Sequence, residues 1–100
     1  MDFFCKLHPP RPTFAHDMTD VERQLMQAHA DYWQEWMSKG NVVTFGLVGD
    51  PAGPYGVGVV QFDGPDAARA FADGDPTITA GVGFRLDVHP MPLGAAVRSS

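Results

Sequence analysis

Residues 41–62, NVVTFGLVGDPAGPYGVGVVQF, limit the possible folds most severely. Two apolar, valine-rich runs flank DPAGP (50–54), a turn dense in glycine and proline. The segment therefore reads as a hairpin with strands over 41–50 and 55–62. Val43, Phe45 and Leu47 alternate with Val42, Thr44 and Val48, so both faces of the hairpin are apolar. A two-stranded ribbon cannot bury two apolar faces by itself. It needs a larger sheet, with helices on one side and a partner on the other.

TDVERQLMQAHADYWQEWMSKG (19–40) supplies a helix for that sheet. Thr19 and Glu22 have capping-box spacing, Asp20 suits the positive end of the helix dipole, and Lys39–Gly40 is a stop signal. At about 100° per residue, Val21, Leu25, Ala28, Tyr32 and Trp36 form one stripe. Met26, His29 and Trp33 widen it sideways, with Glu22 among them. Arg23, Gln24, Gln27, Asp31, Gln34 and Glu35 take the opposite side. The apolar arc is wider than one packed sheet requires, and His29 lies on its flank.

The remaining elements are shorter. FFCKL (3–7) reads as a strand that stops at Pro9 and Pro10. Residues 9–18 read as a loop, because three prolines in four residues forbid helix and ladder alike. GPDAARAFADG (64–74) reads as a short helix with Pro65 at its start and Gly74 at its end. FRLDVHP (84–90) alternates as a last strand, with Phe84, Leu86 and Val88 on one face and Arg85, Asp87 and His89 on the other. Residues 94–100 read as a flexible tail after one domain over 1–93.

The resulting order, β-α-β-β-α-β, predicts an α+β fold of the ferredoxin-like type: a four-stranded antiparallel sheet with two helices on one face. The open face predicts a homodimer. A formal net charge of −5 and scattered basic residues argue against nucleic acid as a partner. No apolar run approaches the roughly 20 residues of a membrane span, and MDFFCKLHPP lacks the basic and apolar regions of a signal peptide. The expected location is therefore cytoplasmic. The single cysteine, Cys5, excludes an internal disulfide and reads as a buried thiol.

In this topology the 8–18 loop, the start of the long helix, the 49–54 turn and the 74–83 loop meet at one end. Arg11, Asp17, Glu22, His29, Asp50 and Asp75 all lie in or near those segments. Pro76 fixes its own φ and pushes Asp75 away from helical geometry, holding its carboxylate beyond the second helix, where it could face His29. A carboxylate bonded to one ring nitrogen sets the tautomer and leaves the other nitrogen basic toward a substrate.

Each of these residues also has a plainer reading. His29 is either half of a catalytic pair or a satisfied structural histidine. Asp75 is either its partner or a turn residue. Arg11 is either an anion clamp for a carboxylate or phenolate, or an ion-pair partner of an Asp. Asp17 either joins a substrate site or only sits near a helix start. Trp33 either lines a pocket with Met26 or, like Trp36, belongs to the core or a dimer interface. His8 and His16, beside the proline-rich loop, read as surface residues. The four histidines match no metal-ligand spacing, so no metal is expected. Gly56 and Gly58 precede no helix. They form no dinucleotide fingerprint and instead permit a close approach of backbone or subunit. No cofactor is expected.

Several short motifs carry a resemblance when taken together. They are H-x-x-Y-W in the long helix (His29, Tyr32, Trp33), G-x-V into the second strand, D-P-A-G in the hairpin, and D-P at 75–76. In that order and spacing they resemble the YciI-like (YCII-related) family over about residues 3–92. PPRPTFAHDMTDVE (9–22) is similar to the N-terminal signature of one branch. The resemblance implies a dimeric ferredoxin-like fold with a His–Asp active site at His29 and Asp75. Most members have no assigned reaction, and a relative is a dehydrochlorinase of a chlorinated hydroxyquinol. Two functions follow: a cofactor-independent lyase or isomerase-type enzyme, or a non-catalytic ligand-binding or regulatory module using the same pocket.

Overall fold

A computed structural model describes residues 1–99. Its elements are β1 (Asp2–His8), α1 (Phe14–Asp17), α2 (Asp20–Ser38), β2 (Val42–Val48), β3 (Tyr55–Gln61), α3 (Pro65–Asp73), α4 (Pro76–Thr79) and β4 (Arg85–Met91). The strands form one sheet in the order β2-β3-β1-β4, with every neighbouring pair antiparallel. This α+β arrangement is compatible with the ferredoxin-like fold. Among the described residues, no helix is long and apolar enough to cross a membrane.

Local chemistry sets the limits of α2. Thr19 accepts from the Glu22 amide at 3.1 Å, and the Glu22 carboxylate accepts from the Thr19 amide at 2.9 Å, closing the capping box. At the other end the Asn41 amide reaches the Trp36 carbonyl and the Gly40 amide reaches that of Met37, each at 3.0 Å. Gly40 takes φ +91° in this Schellman closure, a conformation costly for a residue with a Cβ.

Phe3, Cys5, Leu7, Val42, Val60 and Leu86 form the covered face of the sheet, packed against Trp33 of α2 and Ala68, Phe71 and Ala72 of α3. Burial pushes the Cys5 thiol up to about 12, which leaves it an inert core residue.

Three sequence expectations are corrected. The buried face of α2 is centred on Trp33, which is 2% exposed, whereas Val21 is 74% exposed and Ala28 is also exposed. The helix is rolled toward its Met26–His29–Trp33 side because the large indole fits against Gly58 of β3. A Cβ there would stand 2.5 Å from the Trp33 ring. The even alternation read across 42–48 is also broken. A register shift between Val42 and Thr44 puts Val42 and Phe45 on the same, core-facing side. The loops 9–18 and 74–83 each contain one helical turn, α1 and α4. The proline argument holds for 9–12, but α1 begins beyond it, and at Pro76 the proline occupies the first helical position, where it is favoured.

Candidate functional site

Asp75 is the hub of the site. It is the N-cap of α4, and its Oδ1 accepts from the Thr77 amide at 2.9 Å and the Thr77 hydroxyl at 2.7 Å. Its Oδ2 accepts from two residues of α2: His29 through Nδ1 at 2.7 Å and Trp33 through Nε1 at 2.6 Å. His29 and Trp33 lie one helical turn apart, so both side chains reach the same oxygen. The residue is 0% exposed. Burial pushes its carboxyl up, but the His29, Trp33 and Thr77 donors outweigh that and hold it below the ordinary carboxylate range.

With Asp75 accepting at Nδ1, the neutral form of the ring carries its proton there and its lone pair on Nε2. Among the described residues, no buried polar side-chain atom lacks a partner. Nε2 makes no hydrogen bond among the described residues, so it is not sealed off from solvent. His29 borders a cavity of about 260 Å³ between α1, α2 and strands β2 and β3. Its walls are mainly apolar, with Pro9, Phe14, Met18, Met26, Ala30, Phe45, Leu47 and Phe84 among them. His29 and Tyr55 are the titratable side chains on this lining. Leu47, 73% exposed, stands at the rim. Cavities for organic ligands run roughly 300–1,000 Å³, so this one suits a single-ring molecule.

Arg11 and Asp17 do not line that cavity. The Arg11 guanidinium donates to both carboxylate oxygens of Glu22, at 2.7 and 2.8 Å, and also to Asp17 Oδ1 at 2.8 Å and the Asp17 carbonyl at 3.0 Å. Asp17 also accepts from the Thr13 hydroxyl at 2.7 Å. Arg11 and the Thr19 amide hold the Glu22 carboxyl down to about 2. Arg11 therefore clasps the 9–18 segment to the start of α2, and that segment supplies Pro9, Phe14 and Met18 to the cavity wall. Glu22, which also closes the capping box, is the other half of the clasp. Arg11 also borders a second, open hollow of about 330 Å³ by the 50–54 turn. Arg11→Ala is expected to lower the melting temperature and speed proteolytic cleavage within 9–18. Unchanged cleavage would show that the prolines alone hold the segment.

Trp33 stands behind the cavity wall, in the core. Its contact with the site is the indole N–H on Asp75, which apolar periodicity does not reveal. Thr77 and the N-cap role of Asp75 were legible in principle, since Asp-Pro followed by a hydroxyl residue is a helix-start pattern. His8, expected at the surface, is instead part-buried, and its Nε2 lies 2.7 Å from Asp87 Oδ2. Gly58 accommodates both the Trp33 ring and, at 3.2 Å from where a Cβ would stand, the Thr44 carbonyl of the neighbouring strand. Among the described residues no group of three metal-ligating side chains occurs.

The sheet order and this pocket define an α+β domain with a histidine–carboxylate pair beside a small apolar cavity. Residues 2–92 match the family model of the YCII-related domain, and the chain belongs to that family. A search of curated proteins finds no match. Among solved structures the chain is similar to 5-chloro-2-hydroxyhydroquinone dehydrochlorinase (TftG) from Burkholderia phenoliruptrix AC1100, solved in complex with 2,5-dihydroxybenzoquinone. The likeness has a TM-score of 0.62 at 18% identity and covers 89% of this chain and 92% of that one. At that identity it concerns the fold.

Proposed function

We propose that this protein is a cofactor-independent enzyme of the lyase or isomerase type, moving a proton on a small single-ring molecule. His29 acts as general base and acid through Nε2, and Asp75 orients it. The observation that carries this reading is the pairing of His29 Nδ1 with a fully buried carboxylate on a ring that borders the apolar cavity. An imidazole so held has one tautomer and one free lone pair, as proton transfer requires.

The lining narrows the substrate. With Arg11 engaged by Glu22 and Asp17, no arginine or lysine side chain borders the cavity. A permanently anionic substrate would lose its hydration there without a matching charge. A flat hydroxylated ring fits better: it is neutral on arrival and carries an acidic proton for His29. The TftG ligand, 2,5-dihydroxybenzoquinone, has the same flat single ring, and as a vinylogous acid it would enter this uncharged cavity in its protonated form. Loss of HCl from a chlorinated hydroxyhydroquinone removes a proton and releases chloride without any oxidant, which is work one base can do. Arg11 and Asp17 serve by holding the cavity wall, in place of the anion clamp read from the sequence.

The test uses 5-chloro-2-hydroxyhydroquinone for turnover and 2,5-dihydroxybenzoquinone for binding. The wild-type protein is expected to release chloride, and His29→Gln to lower that rate by about 10²–10⁴-fold. Binding without turnover by the wild type would favour the non-catalytic ligand-binding or regulatory module.

The working unit is proposed to be a homodimer in the cytoplasm. Phe4, Thr44, Gly46, Val57 and Val59 form an apolar hollow on the sheet face away from the helices, and a second copy would cover it. Light scattering is expected to give twice the 10.8 kDa chain mass. A monomer at micromolar concentration would overturn this.

A further inference from the structure

Trp33 and His29 converge on one atom. Asp75 Oδ2 accepts the indole N–H at 2.6 Å and the imidazole N–H at 2.7 Å, while Oδ1 is filled by the two Thr77 donors. The indole cannot easily drift. Its ring lies against Gly58, where even a Cβ would sit 2.5 Å away, and it packs edge-on to Phe71 with centroids 4.9 Å apart. The carboxylate is therefore pinned by donors whose positions come from the core rather than from the pocket.

We infer that Trp33 is a positioning residue for His29: its indole N–H fixes the Asp75 oxygen and shares it, moderating the carboxylate's pull on the imidazole proton. The inference rests on the proposed role of His29 and assigns Trp33 a function without substrate contact. Two donors on one oxygen compete for the same electron density, so each bond is weaker than it would be alone. Removing the indole N–H concentrates the carboxylate's charge on His29, strengthens the Nδ1–H bond and favours the imidazolium.

The coupling is measurable without any ligand. In the wild-type protein, followed by NMR across the pH range of the histidine ring, the Trp33 indole N–H resonance should move together with the His29 ring resonances. Trp36, which makes no bond to Asp75, serves as the control. Trp33→Phe keeps an aromatic ring beside Gly58 and loses the donor. It should move the His29 Nδ1 proton downfield, because the carboxylate oxygen then has one ring donor instead of two. A wild-type indole resonance that stays fixed while the imidazole titrates overturns the inference, even if the variant fails to fold. So does a Trp33→Phe protein that folds with the His29 proton unmoved. A wild-type protein that shows the coupling but binds no 2,5-dihydroxybenzoquinone leaves the positioning role standing and removes the proposed substrate class.

Discussion

Asp75→Ala is expected to destabilise the protein by about 3–5 kcal/mol, because it leaves several buried hydrogen-bond donors without an acceptor at about 1–3 kcal/mol each. At about 4–8 °C per kcal/mol for a domain of this size, the melting temperature should fall by at least about 12 °C. The substitution strands four donors in one place: the His29 and Trp33 ring N–H groups and the Thr77 amide and hydroxyl. It also removes the N-cap of α4. Asp75→Asn should cost less but still be plainly destabilising. An amide offers one acceptor oxygen, so its NH₂ group must face either the Thr77 donors or the two rings. A loss below about 1 kcal/mol for the alanine variant, read by denaturant titration, would show that the network does not hold the fold.

The same carboxylate predicts a pH dependence with a definite sign. The folded protein holds Asp75 below its ordinary value, so the stability it contributes is fully present above the ordinary carboxylate range. That contribution is lost as pH falls through the folded-state value. The stability gap between wild type and Asp75→Asn should therefore be widest near neutrality and narrow on acidification. A gap that widens as pH falls through the ordinary carboxylate range would mean that the carboxylate is protonated in the folded state.

The hairpin, the capped helix and the alternating last strand follow from periodicity and turn chemistry, which are local. The facing of His29 toward Asp75 also had a local cue, because a proline after Asp75 restricts its backbone to a few conformations. The indole bond was not legible, since nothing in H-x-x-Y-W distinguishes a tryptophan packed only by its ring from one that also donates a hydrogen bond. Arg11 was legible as a charged residue in a rigid loop. Its partners were not, because Glu22 had already been given a complete role in the capping box, and its second role depends on the path of 9–18 over the helix start. The roll of α2 failed for a related reason. A helical wheel weights Val21 and Trp33 alike, whereas the packing is decided by where an indole finds a glycine opposite it.

Phe71→Ala should bring a loss of similar size, about 3–5 kcal/mol, through a different mechanism. Phe71 is nearly fully buried, and four aromatic rings surround it: Tyr32, Trp33, Trp36 and Phe62, with centroids 4.9–5.5 Å away. Alanine would leave a cavity among large, stiff groups that cannot close onto it without moving α2 off the sheet. Phe71→Leu, which restores most of the volume, should cost about 1.5 kcal/mol or less. Phe71 also packs edge-on to the Trp33 ring, so the alanine variant should disturb the site as well as the core. The expected sign is a Trp33 indole proton that exchanges with solvent faster in Phe71→Ala than in Phe71→Leu, by more than the difference in global stability explains. Equal exchange, once corrected for stability, would mean that Gly58 and Asp75 hold the indole without Phe71.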